Sequence, residues 1–481
     1  MNQPLPPTPE LAAGYDLIVV GSGFAAAFFL HGVLARAAPD FRVLVVERGH
    51  HDADPWRRSA RRHSRIDSAD TYLSTDDTHG SWAFSLGLGG SSNCWWGNTP
   101  RMLPEDFQLY TRYHVGRDWP LSYAQLAPYY AQAERLMMIA GQPNFGPAPA
   151  DHYPLPAHRL SEVQQHLASA YPQLFGAMPT ARASAAGAGR AVCCANGVCD
   201  ICPIGAKFSI TNSMMGPFMD PRVTLSLRSR ALQLLRQAGR VDGLLLERDG
   251  RQHEVKAERL ALAANPIFNP ELLLRSGFQH PALGAGLQRQ LALRGELFLH
   301  GLDNFNGSSS VTGVGYMGYA GAHRAHSGAC LIEAWNTGQL RAESGRWQQV
   351  MGLRLLIEDL PQPQDGVQLA ADLPRIQHAG PGQYGQRGLQ RARDKLPDWL
   401  RALPVEELRL AEEPEALSEY AFGGTVMGGN PQSSVLDAQL RLHEQNQVFV
   451  LGSGAFPNAG ASHPALTIAA LSLRAAESLQ A

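Results

Sequence analysis

The sequence predicts an α/β fold in two parts: a βαβ unit near the N-terminus and a second domain carrying a mostly antiparallel sheet. Three observations point there. Strand, Gly-rich turn, helix and strand follow one another between residues 16 and 49. Several alternating apolar runs fall between residues 308 and 370. The chain has 481 residues, too many for one ordinary domain. Hydrophobic residues make up 44% and charged residues 17%, which excludes a disordered chain.

In order, DLIVVG (16–21) is an apolar strand, GSGFAAAFFLHGVLARA a turn and helix, and FRVLVVERG a strand ending at Glu47. Residues 50–80 are polar and read as a surface loop, whose Arg57, Arg58, Arg61, Arg62 and Arg65 form a solvated basic face. Residues 84–101 are a second Gly/Ser-rich stretch, and 124–139 have apolar residues at helical spacing. Residues 142–160 are Pro-rich and irregular. VTLSLRSRALQLL, VDGLLLERDG and RLALAAN read as three strands. VFVLGSG, a Gly/Asn/Pro turn and the apolar helix ALTIAALSLRAAESL close the chain.

The charge balance, 41 basic against 43 acidic residues, gives no field for gripping nucleic acid. No run of eighteen apolar residues exists, so no membrane-spanning helix is expected. The N-terminus lacks a basic, signal-like segment. The expected location is therefore cytoplasmic, or periplasmic if the chain is exported with a partner.

Gly21-Ser22-Gly23-Phe24-Ala25-Ala26 is GxGxxA directly after a strand. Gly21 permits the tight turn, Gly23 lets backbone approach a pyrophosphate, and Ala26 allows close helix–strand packing. The helix N-terminus offers free N–H groups to phosphate. Glu47 is placed for ribose hydroxyls. The pattern predicts a dinucleotide and does not separate NAD from FAD.

Gly87-Leu88-Gly89-Gly90-Ser91-Ser92-Asn93-Cys94-Trp95-Trp96, followed by Thr99-Pro100-Arg101, resembles the flavin-binding loop of glucose–methanol–choline (GMC) oxidoreductases. Residues 113–141, Ile357-Glu358-Asp359-Leu360-Pro361 and the run from GGTVMGGNPQSSVLD to the last helix resemble the gluconate/FAD-glucose dehydrogenase branch. The resemblance implies FAD and a doubly wound FAD-binding, Rossmann-like domain of segments 1–110, 205–295 and 430–481. It also implies a substrate domain of 111–204 and 296–429 that includes the Cys-rich loop 193–202. Gly21, Gly23, Ala26 and Glu47 would hold the ADP half. Gly89, Gly90, Ser91, Ser92 and Asn93 would run along the pyrophosphate and flavin, and Ser453 and Gly454 would approach the flavin end.

The implied reaction oxidises an alcohol group of a sugar, polyol or sugar-like substrate by hydride transfer to flavin. An O2-using oxidase and a catalytically weak flavin-binding subunit are the alternatives. The family's first catalytic histidine, in HxxGT, falls at Ala421, which can do no proton chemistry. The second position is His463, the one candidate base left, with Tyr420 as a hydrogen-bond donor. At the position of Cys94 some relatives carry a flavin-linked histidine; a buried free thiol is expected here.

Cys193, Cys194, Cys199 and Cys202 lie within ten residues, ending in Cys-Pro. A dense set suggests metal or redox chemistry rather than a secreted disulfide framework. The run through Ala206 resembles the segment that holds a 3Fe–4S cluster in FAD-glucose dehydrogenases, with one residue fewer before the last cysteine. Such a cluster would take single electrons from flavin toward a cytochrome or other acceptor, with a small accessory subunit as partner; structural thiols or a disulfide are the alternative. His300, His323 and His326 are read as ordinary surface or packing residues of the substrate sheet.

Overall fold

The computed structural model describes residues 10–74, 81–147, 153–336, 341–417 and 419–479. Residues 1–9 of the N-terminus, 75–80 of the expected surface loop, 148–152 of the Pro-rich stretch and 337–340 of the alternating runs lie outside the described residues.

Strand Gly14–Val20 ends in Leu-Ile-Val-Val, buried on both faces, as a strand covered from both sides requires. It lies parallel between Val43–Val46 and Arg251–Leu262. Val223–Ser226 continues the parallel order on one side and Gln445–Val450 on the other. The hairpin Ser229–Gln237/Arg240–Arg248 attaches antiparallel to Arg251–Leu262. The expected single strand VTLSLRSRALQLL is thus two strands. Arg228 takes φ 52°, a left-handed turn that sends the second half into the hairpin.

Helix Phe24–Leu34 is buried at every position but His31, so it is apolar all round rather than one-sided. It packs against the closing helix Ala465–Glu477. The approach is close: a Cβ at Gly32 would lie 2.6 Å from the Ala476 Cβ.

The second sheet is antiparallel at every described pairing. Its order is Val405–Leu410, Leu291–Leu299, Val350–Ile357, Cys330–Trp335, Gly313–Gly318 and Phe175–Ala177, with Glu415–Ala416 beside Leu291–Leu299. Strand Leu291–Leu299 runs across the expected domain division at 295/296. Its apolar face packs with Ala392 and Leu396 of helix Gln383–Trp399. One core cluster joins the parallel sheet to both helices, and a second lies under the antiparallel sheet.

Candidate active site

A cleft enclosing about 1630 Å³, including space open to solvent, runs from the carboxyl ends of the parallel strands to the start of the closing helix. That is where ligands sit on open α/β sheets. Gly21, Ser22, Gly23, Glu47, Gly90 and Ser91 line it, and so do Tyr420, Ala421, Ser453 and His463.

The first turn is built around two glycines with different reasons. Gly21 has φ +102°, and a Cβ there would come 2.4 Å from the Ala263 carbonyl oxygen. Its own packing therefore demands glycine. Gly23 has an ordinary φ of −79°, and a Cβ would meet only the Gly90 Cα at 3.8 Å. The protein leaves a cradle there that a side chain would fill. Helix Phe24–Leu34 has no side-chain cap, so its first N–H groups open on that cradle. This is the fit a pyrophosphate needs. Ala26 is fully buried in the helix behind the turn.

Glu47 is 5% exposed at the end of strand Val43–Val46. One carboxylate oxygen accepts the Ser22 hydroxyl at 2.6 Å and the other the Gly49 N–H at 2.8 Å. Each retains a lone pair for a further donor. Arg48 and Arg230 line the same cleft.

The second loop faces the first. Gly90, at φ +50°, would place a Cβ 3.0 Å from the Gly23 Cα. Gly89, Ser92 and Asn93 do not line the cleft. Ser92 donates to the Gly89 carbonyl at 2.6 Å, and Asn93 Nδ2 to the Leu88 carbonyl at 3.0 Å, so they hold the loop's shape. Cys94 Sγ lies 3.6 Å from the Ser91 carbonyl, and burial pushes its thiol up to about 11. Ser453 donates to the Ala421 carbonyl at 2.7 Å, and Gly454 lies behind it, 2.8 Å from Thr425 Oγ1 were it to carry a Cβ.

His463, on the wall of the cleft, is 3% exposed and has both ring nitrogens engaged. Nδ1 lies 2.5 Å from the Tyr420 hydroxyl and Nε2 2.7 Å from Glu333 Oε1. Glu333 also accepts from Asn98 Nδ2 at 3.0 Å and pairs with Arg354 at 2.6 Å. Burial pushes the Glu333 carboxyl up, but Arg354 and His463 outweigh it and hold it at about 2. Burial and the nearby Glu419 charge raise the Tyr420 phenol well above its ordinary range. Ala421 lines the cleft where the HxxGT histidine was expected. Glu333, Arg354 and Asn98 were not found by sequence reasoning: no motif marks them, and they meet His463 only through the sheet.

The four clustered cysteines do not converge. Cys199 is buried, with Sγ 3.0 Å from Ser310 Oγ and 3.6 Å from an Arg182 guanidinium nitrogen. Cys193 Sγ accepts from the Ala195 N–H at 3.4 Å, Cys194 is exposed, and Cys202 is half-buried. All four are free thiols, and among the described residues no group of three or more His, Cys, Asp or Glu is arranged to hold a metal ion. The described arrangement thus gives no support to the expected 3Fe–4S cluster, whose irons need thiolates converging on one point. Lys207 Nζ sits beneath the loop, donating to the carbonyls of Trp95 at 2.8 Å and Asp200 at 2.9 Å.

The basic run is largely paired: Arg57 with Asp54, Arg65 with Asp52 at 2.8 Å and Arg62 with Asp67 at 3.4 Å. None of His300, His323 and His326 lines the cleft.

The GMC oxidoreductase family models match residues 15–292, for the N-terminal part, and 401–472, for the C-terminal part. The chain belongs to the GMC oxidoreductase family. Membership carries FAD as cofactor and CH–OH oxidation as the class of reaction. Among characterised relatives, the fructose dehydrogenase large subunit of Gluconobacter japonicus is 27% identical, over 82% of this chain and 80% of that protein. The paromamine 6'-oxidase of Streptomyces fradiae is 26% identical, over 97% of this chain and 91% of that protein. Pyridoxine 4-oxidase from Mesorbium loti shares the fold, with a TM-score of 0.64 and 17% identity over 96% of this chain and 99% of that one. Among the described residues of this GMC oxidoreductase, no helix is long and apolar enough to cross a membrane.

Proposed function

We propose that this GMC oxidoreductase oxidises an alcohol carbon of a sugar, polyol or sugar-like substrate. The observation that carries the reading is the pairing of Tyr420 and His463 in the same cleft that the Gly21–Gly23 turn lines. FAD, when bound, supplies the acceptor for the hydride that leaves the alcohol carbon.

This chain's residues do the rest. Gly21, Gly23 and the open helix N-terminus hold the pyrophosphate, with Ala26 packed behind the turn, and Glu47 accepts ribose hydroxyls. Gly90 and Ser91 flank the cofactor, with Gly89, Ser92 and Asn93 fixing their loop. Ser453 and Gly454 close the flavin end. His463, with Tyr420, takes up the proton of the substrate hydroxyl. General-base assistance of this kind contributes roughly 10²–10⁴ in rate. The fructose dehydrogenase relative supports a dehydrogenase passing electrons to a separate acceptor, with an accessory subunit and a cytochrome or other carrier as partners.

The paromamine oxidase relative favours a second reading, an oxidase returning electrons to O2. Anaerobic bleaching of the flavin with a panel of sugars, polyols and aminosugars tests the reaction. Reoxidation of the bleached protein by O2 or by a one-electron dye then separates the two readings. A flavin that no alcohol bleaches refutes both and leaves a weakly catalytic binding subunit.

A further inference from the structure

His463 has no ring nitrogen left over. A neutral imidazole carries one N–H and one lone pair, and both nitrogens already face protein groups: Nε2 faces Glu333 at 2.7 Å and Nδ1 faces Tyr420 at 2.5 Å. Which nitrogen holds the proton follows from the partners. Glu333 is fully buried and accepts three donors besides the His463 contact. Arg354 gives two, at 2.6 and 2.7 Å, on one oxygen. Asn98 gives one, at 3.0 Å, on the other, the oxygen that His463 Nε2 faces at 2.7 Å. A carboxylate so surrounded stays ionised and can only accept. Nε2 must then carry the proton, and Nδ1 presents its lone pair to the Tyr420 hydroxyl, which donates. Tyr420 and His463 both line the cleft, Tyr420 half-buried and His463 buried.

We infer that Glu333 is a positioning residue that fixes His463 as the Nε2-protonated tautomer, so that the Tyr420 oxygen meets the substrate hydroxyl and His463 Nδ1 receives the proton. The inference rests on the alcohol-oxidation reading above. The proton accounting closes. The substrate O–H bond breaks as a new Tyr420 O–H bond forms. The old Tyr420 O–H bond breaks as the Nδ1–H bond forms. The electron pair of the substrate C–H bond leaves as hydride to the flavin, which is reduced while the alcohol becomes a carbonyl. The phenol's high proton affinity means that Tyr420 never rests as a phenolate; it passes one proton on as it takes the next. The imidazolium then sits against the Glu333 carboxylate.

The discriminating variant is Glu333→Gln. Arg354 needs an acceptor, so the glutamine carbonyl turns to it and the amide NH2 turns to His463. Nε2 must then accept, the ring proton moves to Nδ1, and the site that would receive the Tyr420 proton is lost.

The test is 15N NMR of the histidine-labelled, flavin-loaded full chain without substrate, with His463 assigned by comparison with His463→Gln. The wild type should show a protonated Nε2 and a bare Nδ1. Tyr420→Phe and Glu333→Asp should keep that tautomer, and Glu333→Gln should invert it. In stopped flow, Tyr420→Phe and Glu333→Gln should each slow anaerobic flavin reduction by roughly 10²-fold or more. A wild-type His463 protonated on Nδ1 overturns the inference, and so does a Tyr420→Phe protein that reduces its flavin at the wild-type rate. If Glu333→Gln does not fold, those two measurements still decide. A wild-type flavin that no alcohol bleaches overturns the reaction reading, whereas the tautomer reports on the Glu333 arrangement by itself.

Discussion

Glu333 and Arg354 stand directly opposite each other on neighbouring antiparallel strands, and their paired side chains carry His463 on the far oxygen of the carboxylate. The arrangement makes stability sensitive to acid. The Glu333 carboxyl is held at about 2 in the folded chain against an ordinary 4.5. Between those values the unfolded chain binds the proton and the folded one does not, so stability falls as pH falls. The contribution is complete above pH 4.5 and is lost on approaching pH 2, at about 3 kcal/mol for a fully buried group. Urea midpoints of the wild type and Glu333→Gln across this range should converge as the pH drops. Parallel curves would refute the assignment.

Gly21 and Gly23 should separate folding from cofactor binding. Gly21→Ala forces a side chain onto the Ala263 carbonyl at a left-handed φ and should cost at least about 1–3 kcal/mol of apoprotein stability. Gly23→Ala meets nothing closer than 3.8 Å and should change apoprotein stability by less than about 1 kcal/mol. It should nonetheless weaken FAD strongly, because the methyl occupies the cradle. Melting of the apoproteins and flavin titration measure the two effects. Equal losses in both assays for Gly23→Ala would show that the turn is only a packing feature.

Glu47→Ala should lower flavin affinity by about 1–3 kcal/mol through lost charge-assisted bonds to ribose. Ser22→Ala is the control. It removes the 2.6 Å bond that orients the carboxylate and the 3.3 Å contacts with Gly87 and Gly89 but leaves the carboxylate itself in place, so its effect should be smaller. Unchanged flavin occupancy in purified Glu47→Ala protein would remove the ribose role.

The βαβ unit and the closing helix were legible because their signals are local. A run such as LIVV, a GxGxxA turn and a helix apolar on every side are each read within a dozen residues. Helix Gln383–Trp399 was not legible. Its interior glycines, Gly385 and Gly388, look like breakers, yet Gly388 lets the helix press onto Gly328, where a Cβ would lie 2.9 Å from the backbone nitrogen. The Tyr420–His463–Glu333–Arg354 chain was half legible. A family motif supplied His463, and Tyr420 was noticed only as the neighbour of the motif position at Ala421. Glu333 reaches them across 130 residues of sequence through strand register, which no local pattern carries. The cysteine spacing suggested convergence, but a thiol's direction is set by the loop, and here Arg182 and Ser310 take Cys199.

Thiol reactivity should follow that geometry. Cys194 is exposed and should react quickly with a thiol reagent in the native protein. Cys330 is buried, and burial pushes its thiol up to about 12, so it should label only after denaturation. Mass spectrometry of timed labelling distinguishes the two. Joint protection of Cys194, Cys199 and Cys202, released by a chelator, would show ligation and overturn the reading of separate thiols.

His463 is the one titratable side chain at a family catalytic position, since Ala421 stands at the other. In the proposed reaction it is the group that ends with the proton, received through Tyr420. His463→Ala should therefore slow anaerobic flavin reduction by roughly 10²-fold or more. His463→Asn should slow it as well. Its amide can still bond to Tyr420 or Glu333 but cannot accept a proton, so the two variants together separate proton acceptance from space filling. Flavin content should stay at the wild-type level in both, because His463 is no part of the Gly21–Gly23 turn and its ring nitrogens face Tyr420 and Glu333. Stopped-flow bleaching and flavin absorbance give both readouts on one sample. A His463→Asn protein that bleaches as fast as its parent would move the proton acceptor elsewhere in the cleft, with the exposed carboxylate of Glu419 next to be tested.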